Sequence, residues 1–328
     1  MVNKIGYQSY VGYCDEASFG TSINPTGFVE YNSESFKKDI TEKLIDAING
    51  TVHYKKRVTL DQKVGGSISF PLVPGAALRL LKDGIGDAIT QTVVVSGVYK
   101  YVFIAGITSL TSMSIETGRN TTDTSSSMRY TGCCIDSLKF SASLNNLLMV
   151  DVAFKGQDEI FCNTISTASY RTLNPYTYVN GSIKIGDSSA SNSLPVVETW
   201  NLEVKNNLQE IRQIGSSKVA AFVPGMQDVT YDITAQWNDN YLYNRFVNGT
   251  QSYLYAKFDN GQTIGTTTYT NTIQFESFKC YFNGSTPNVS SGTDILKASY
   301  PIRSIWNDGS STTLLITVQT DVATFTTA

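Results

Sequence analysis

Apolar and polar positions along this 328-residue chain mostly alternate over short stretches. In DVTYDITAQW, Val229, Tyr231, Ile233 and Ala235 alternate with Thr230, Asp232, Thr234 and Gln236. Successive side chains of a strand point to opposite faces, so a period of two predicts a half-buried strand. Runs of the same grammar recur between Gly, Asn and Ser punctuation. The first half holds TVHYKKRVTLDQ, SISFPLV, TQTVVVSGVYKYVFIAG, SMSIETG, GCCIDSLKFSASL and LLMVDVAFKG. The second holds QSYLYAKF, NTIQFESFKCYF, ILKASYPIRSI and TTLLITVQT. Gly65-Gly66 is expected to break the first two runs apart.

Two stretches depart from this rhythm. After Pro74 and Gly75, Ala77, Leu81 and Ile85 recur every four residues with Leu78 beside them. That is one apolar stripe, and it predicts a helix near Ala76 to Gly84, with Gly84 and Gly86 as left-handed stops. In the second half Asn238 can cap a helix near Asp239 to Val247, with Leu242 and Phe246 on its buried face and Gly249 at its end. Each helix would plug one open end of a bent sheet. The expected helix core is Leu78, Leu81, Ile85, Leu242 and Phe246.

The order strand, strand, helix, four strands thus occurs twice. Ser67 corresponds to Val229, 162 positions on, and Leu148 to Leu314, 166 on. The unit is domain-sized, so this is a duplication and not a solenoid. It divides the chain into 1–160, a connector over 161–194, and 195–328. Inside the connector, TYVNGSIKIGD reads as a hairpin with an Asn-Gly turn.

Composition removes most chemistry. Charged residues are only 16% and hydrophobic ones 41%, which argues for a folded chain whose surface is largely covered by neighbours. The net charge of −3 gives no basic field to attract nucleic acid. His53 is the one histidine, which removes most metal sites and every Ser-His-Asp or Cys-His arrangement that does not use it. The five cysteines form no CxxC and read as small buried thiols, with Cys133 and Cys134 on opposite faces of a strand. Asp136 with Asp151, or Asp158 with Glu159, could be imagined as an acid–base pair, but nothing sets either across a cleft. GIGDAI lacks the third glycine of a dinucleotide loop. In YKKR, alternation splits Lys55 and Arg57 from Lys56, which suits a solvated face or salt bridges between subunits. The opening MVNKIGYQSYVGY has no apolar run, and no stretch of 18 apolar residues occurs. Neither a signal peptide nor a membrane span is expected. No cofactor, metal or catalytic turnover is expected.

Three segments resemble the tail tube proteins of long-tailed bacteriophages. YVGYCDEASFGTSINPTGFVEYNSESFKK is similar to the family's opening, where an acidic residue and a GT precede a proline and a strand. GGSISFPLVPGAALRLLKDGIG resembles its strand and short helix. NGSIKIGDSSASNSLPVVETWNLEVKNNLQEIRQIGSSKVAAFVPGMQDVTYDITAQWND resembles its central strand, turn, strand and helix. The chain departs from the family in RNTTDTSSSMRY and YFNGSTPNVSSGTD. The resemblance implies a mainly β protein with two tandem β-sandwich or half-barrel domains, each with one flanking helix. Such chains would join into a closed β-barrel ring, and rings would stack into the tail tube through which the genome passes. The usual member supplies six single domains per ring. Three copies of this chain would supply the same six as a trimer with pseudo-sixfold symmetry, and a hexamer of whole chains is the rival.

The implied partners are further copies, the tape measure protein, tail-terminator and baseplate proteins, and phage DNA passing without specific binding. The implied location is the virion tail, assembled in the host cytoplasm. Wall carboxylates facing the channel are expected among Glu116, Asp136, Asp232 and Glu276. A second reading is a virion-borne or surface β-sandwich adhesion or carbohydrate-binding protein, suggested by the 19 tyrosines. Tyr is also a good strand former. A hydrolase using two carboxylates is the third.

Overall fold

The computed structural model describes residues 6–48, 50–86, 88–119, 127–187, 192–194, 196–284, 286 and 295–324. In the first half the elements are β1 (Tyr10–Asp15), β2 (Gly27–Val29), β3 (Ser33–Glu34), β4 (Lys37–Leu44), β5 (Arg57–Pro71), α1 (Leu78–Ile85), β6 (Ala88–Val95), β7 (Val98–Ile104), β8 (Met113–Gly118), β9 (Ser127–Ser143), β10 (Met149–Gly156) and β11 (Asp158–Phe161). The second half has β12 (Thr177–Gly186), β13 (Asn192–Ser193), β14 (Val197–Lys205), β15 (Gln209–Ile211), β16 (Ala221–Val223), β17 (Asp228–Gln236), α2 (Tyr241–Val247), β18 (Ser252–Thr263), β19 (Thr270–Phe282), β20 (Lys297–Ser304) and β21 (Leu315–Thr320).

All strand ladders are antiparallel, and they build two layers. One long sheet runs β4, β5, β10, β9, β14, β17, β20 through both halves. The covering layer is β2, β1, β8, the start of β9, and β11 in the first half. In the second half it is β13, β12, β18, β19 and β21, extended by β7 and β6. β9 passes from one layer into the other. β19 does the same, its Cys280–Phe282 end joining β20.

One set of pairings occurs in each half. The chain β1, β8, β9, β10, β5, β4 is matched by β12, β18, β19, β20, β17, β14. Even an irregularity recurs. The β8–β9 register shifts just after Met113↔Cys133, and the β18–β19 register shifts just after Ser252↔Cys280. The hairpin β6–β7, the small sheet β15–β16 and β21 are among the elements outside the shared set. By these registers Val229 takes the place of Val64 and not of Ser67, and β20, not the strand after Leu314, takes the place of β10. The long sheet does not close on itself among the described residues.

The main apolar core runs from Val11 to Val322 through both halves. Across it, Trp200 of β14 meets Phe275 of β19 at 5.0 Å and Phe258 of β18 at 5.2 Å, and Phe140 of β9 meets Phe275 at 4.9 Å. Each such side chain contributes about 1.5–3 kcal/mol of burial, so these rings fasten the layers together. Leu78, Leu81 and Ile85 of α1 are buried in this core, as is Leu242 of α2, and Phe246 packs against it half-buried.

Several local expectations resolve differently. Gly65-Gly66 breaks nothing, because β5 runs straight through it. A Cβ on Gly66 would lie 2.6 Å from the Phe36 Cα, so glycine lets the neighbouring chain cross closely. β5 begins at Arg57, six residues later than the run TVHYKKRVTLDQ suggests. TYVNGSIKIGD forms one strand, not a hairpin. Asn180 and Gly181 lie within a bulge between Thr177↔Asp259 and Ser182↔Lys257. α1 ends without a left-handed residue. Gly86 is extended and bridges Gly106, and a Cβ there would sit 2.1 Å from the Ile104 carbonyl oxygen. Asn238 does not cap α2. Asp239 Oδ1 instead accepts the Tyr241 N–H at 2.8 Å.

Candidate assembly surfaces

The outward face of the long sheet is polar and small-grained. β17 shows the cause: Val229, Tyr231, Ile233 and Ala235 turn inward, leaving Thr230, Asp232, Thr234 and Gln236 outside. Read across strands, one row runs Ser69, Asp151, Lys139, Glu203, Thr230, Arg303. Its charges alternate in sign. Ion pairs tie others locally: Lys205–Glu203 at 3.1 Å, Lys297–Glu198 at 2.7 Å and Arg303–Asp228 at 2.9 Å. Each exposed pair adds under about 1 kcal/mol of stability. They also set carboxylates among the cations of this face.

The four carboxylates singled out from sequence do not share one surface. Asp232 lies on the long sheet's outward face and accepts the Ser299 hydroxyl at 3.2 Å. Asp136 sits at the β9 bulge, where Lys155 Nζ donates at 3.1 Å and the Leu208 N–H at 3.0 Å. Glu276 lies on the covering layer, opposite Tyr255, and accepts the Tyr253 hydroxyl. Burial, together with that carboxylate, pushes the Tyr253 phenol up. Glu116 is fully buried, so its carboxylate reaches no surface. Alternation tells which residues share a strand face but not what covers that face.

Glu116 belongs to an enclosed cluster. Arg129 donates to it through Nε at 3.1 Å and again through Nη2, and the Tyr10 hydroxyl and the Ser166 N–H also point at it. Burial and this carboxylate raise the Tyr10 phenol to about 12. Beside the cluster, Glu16 accepts the Ser112 and Ser114 hydroxyls at 2.8 Å, the Gly20 N–H at 2.8 Å and the Gly132 N–H at 2.9 Å. Charge-assisted bonds of this kind are about twice as strong as neutral ones, and here they fix the loop between β1 and β2. Reading the sequence for chemistry passed over Glu16 and Arg129. The available signal was the acidic residue ahead of Gly20-Thr21.

The imagined acid–base pairs are bound up otherwise. Asp151 faces Lys139 and Asp136 holds Lys155. Asp158 is gripped by Lys38 at 2.7 Å and by Lys218. Burial raises its pKa, but the two ammonium groups outweigh burial and hold the carboxyl below the usual range. All five cysteines are free and buried. Cys133 faces the main core, while Cys134 faces a separate small cluster with Leu208, Val219 and Phe222. Among the described residues no group of three His, Cys, Asp or Glu side chains could hold a metal, and no helix is long and apolar enough to cross a membrane.

Two segments occupy the same place in the repeated pairing, one before β17 and one before the core part of β5. Segment 206–227 lies down on the first half. Asn206 Nδ2 donates to the Gly84 and Ile135 carbonyls at 3.1 and 2.9 Å, Gln227 Nε2 to the Ile85 carbonyl at 2.9 Å, and Gln157 Nε2 to the Val219 carbonyl at 2.9 Å. Hairpin 40–62 instead shows apolar side chains to solvent, Ile40, Leu44, Ile48, Val52, Tyr54 and Leu60 among them. Arg57 pairs with Glu42 across this hairpin at 3.0 Å.

The fold is an antiparallel sandwich with, among the described residues, a sheet edge at β4, a charge-balanced face and exposed apolar hairpin residues. The family model described as phage tail tube protein matches residues 6–304, and the chain belongs to that family. No curated protein matches the chain. Membership makes it a structural protein of the virion tail.

Proposed function

We propose that three copies of this chain close into a ring, and that rings stack into the tail tube, the conduit for genome delivery. Each copy supplies two tail-tube-like domains, so a trimer has pseudo-sixfold symmetry. The observation that carries this reading is the repeated pairing set, with the long sheet continuous from one half into the next through β9 and β14. Among the described residues β4, the counterpart of β14, pairs on one side only, with β5. A junction already made inside the chain can therefore be made again between chains. Closing the ring this way removes the exposed edges that invite uncontrolled pairing. Heterologous contacts between diverged halves can still close.

In this reading the long sheet's outward face lines the channel, with Asp136 and Asp232 among its wall carboxylates. DNA passes without base readout because the interleaved charges give no salt-dependent hold. The chain assembles in the host cytoplasm with tape measure, tail-terminator and baseplate proteins, takes no cofactor and carries out no reaction. Cryo-electron microscopy of purified rods, averaged without imposed symmetry, tests the reading. Three copies per ring are expected, and six equivalent whole chains would overturn it.

A further inference from the structure

Three stretches far apart in the chain meet at one groove of about 640 Å³. They are the helical turn Gly6–Gln8 with Ser9, the stretch from Glu30 to Glu34 at the entry to β3, and Tyr170 of the connector. The volume lies within the range of small-molecule sites. The walls are fixed from behind. Tyr31 packs on the main core, the Asn32 N–H donates to the Ser69 carbonyl at 2.8 Å, and Glu34 Oε2 accepts the Phe36 N–H at 2.9 Å. The connector is held at Ser166, whose N–H donates to the Tyr10 hydroxyl at 2.9 Å, and at Arg171, which pairs with Asp321.

Three tyrosines line this groove, and two of them stand well out of the core. Tyr7 is 81% and Tyr170 38% exposed. Tyr170 lies close to Tyr31 and Glu30: burial first, then these two neighbours, raise its phenol. Glu30 and Asn32 line the same groove, and among the described residues their side chains make no hydrogen bond or ion pair. Glu34 differs, because Arg119 donates to its Oε1 at 3.3 Å and offsets its charge.

A sugar ring has an apolar C–H face and a rim of hydroxyls. A tyrosine offers an apolar face with a polar end. A carboxylate accepts hydrogen bonds from hydroxyls, and an amide both donates and accepts. A cationic guest is the rival, since ammonium groups also sit over aromatic rings. The Arg119 guanidinium beside the groove opposes such a guest, and among the lining residues it leaves only Glu30 with an unpaired charge.

We propose that this groove binds a neutral oligosaccharide, with Tyr7 and Tyr170 as stacking faces and Glu30 and Asn32 as hydrogen-bonding partners of its hydroxyls. Every wall belongs to one chain, so the site does not depend on ring closure. It adds an adhesive property to a structural protein.

The test presents the purified full chain to an array of neutral and charged oligosaccharides and titrates the strongest neutral ligand by calorimetry. Spermidine is titrated in parallel as the cationic probe. A neutral sugar is expected to bind, and Tyr7→Ala with Tyr170→Ala should weaken it about tenfold, the loss of two stacking contacts. Both side chains are exposed, so the melting temperature should stay at the parent's value. Asn32→Ala, at an exposed turn position, is a second variant that should weaken the sugar with melting unchanged. An array without a neutral ligand would overturn the proposal. So would sugar binding that is undiminished in these folded variants. Spermidine bound in place of any sugar, and released by Glu30→Gln, would overturn it in favour of a cation site.

Discussion

Glu116 and Tyr255 stand at matching places in the two halves. Each lies three residues after the first pair of its ladder, and each faces a charged residue across it: Glu116 faces Arg129, and Tyr255 faces Glu276. The surroundings decide what each pair becomes. Over the first, the Ser22 and Asn24 side chains and the Ser166 backbone close in, so the carboxylate is fully buried and needs its guanidinium. The second remains partly open to solvent. One backbone plan therefore yields a sealed charge cluster in one half and a surface in the other.

The largest expected effect follows from that contrast. Arg129→Ala leaves the Glu116 charge buried without its partner and should cost about 3–5 kcal/mol. Glu276→Gln should cost less than about 1 kcal/mol. Urea unfolding of both variants checks this. Equal losses would mean that the two places are buried alike.

The helices offer the next comparison. Leu81 of α1 is buried on every side, whereas Phe246 of α2 is half-buried against the core. Leu81→Ala should cost about 2–5 kcal/mol. Phe246→Ala should cost roughly half as much, because part of its ring already meets water. Thermal melting that ranks Phe246→Ala as the more damaging would show α2 to be the tighter plug.

The sequence carried the helix stripes and the β-rich class, because these rest on periodicity and local punctuation; the order of strands after each helix did not follow the expected repeat, since β6–β11 follow α1 and β18–β21 follow α2. Ala77, Leu78, Leu81 and Ile85 needed no tertiary knowledge to be seen as one face. The surfaces were less legible. Glu116, Asp136, Asp232 and Glu276 all sit on alternating strands, yet layer, bulge and covering loop send them to four different environments. The hairpin expected at Asn180-Gly181 failed for a related reason. β18 offers Thr177–Gly186 a full-length partner, and a bulge takes up the turn residues. Gly65-Gly66 looked like punctuation, but what it supplies is clearance for Phe36.

A third contrast is between Asp83 and Arg245, each two residues before the end of its helix. Arg245 is buried, and its two terminal nitrogens are paired while Nε is not: it pairs with Asp187 at 2.5 Å, donates to Ser252 Oγ at 2.8 Å and stacks on Tyr241 at 4.8 Å, so its charge has a partner. Asp83 is equally buried, but one carboxylate oxygen has no partner. Burial first, and then the Asp15 carboxylate, raise its pKa to about 7. An unfolded aspartate titrates near 3.9. Between these values the folded chain keeps a proton that the unfolded chain has released. The stability this group contributes is therefore fully present below about pH 4 and is lost as pH rises towards 7. The loss is on the order of 2–4 kcal/mol. Asp83→Asn cannot ionise, so its melting temperature should fall less than the parent's between pH 5 and pH 8. Parallel curves for the two proteins would show that Asp83 does not titrate in this window.

The smallest expected effect is at Asp232, and it separates the long sheet's outward face from the cluster around Glu116. Both carboxylates lie on strands that alternate, but Asp232 keeps one protein contact, the Ser299 hydroxyl at 3.2 Å, in a row beside Asn201 and Pro301. An asparagine can accept the same hydrogen bond through its side-chain oxygen. The charge it removes is well solvated, so Asp232→Asn should change the urea midpoint by no more than about 0.5 kcal/mol. A loss of 2 kcal/mol or more in the free chain, on the scale expected for Arg129→Ala, would mean that Asp232 is as enclosed as Glu116. The long sheet's face could then no longer serve as an open, charge-balanced wall.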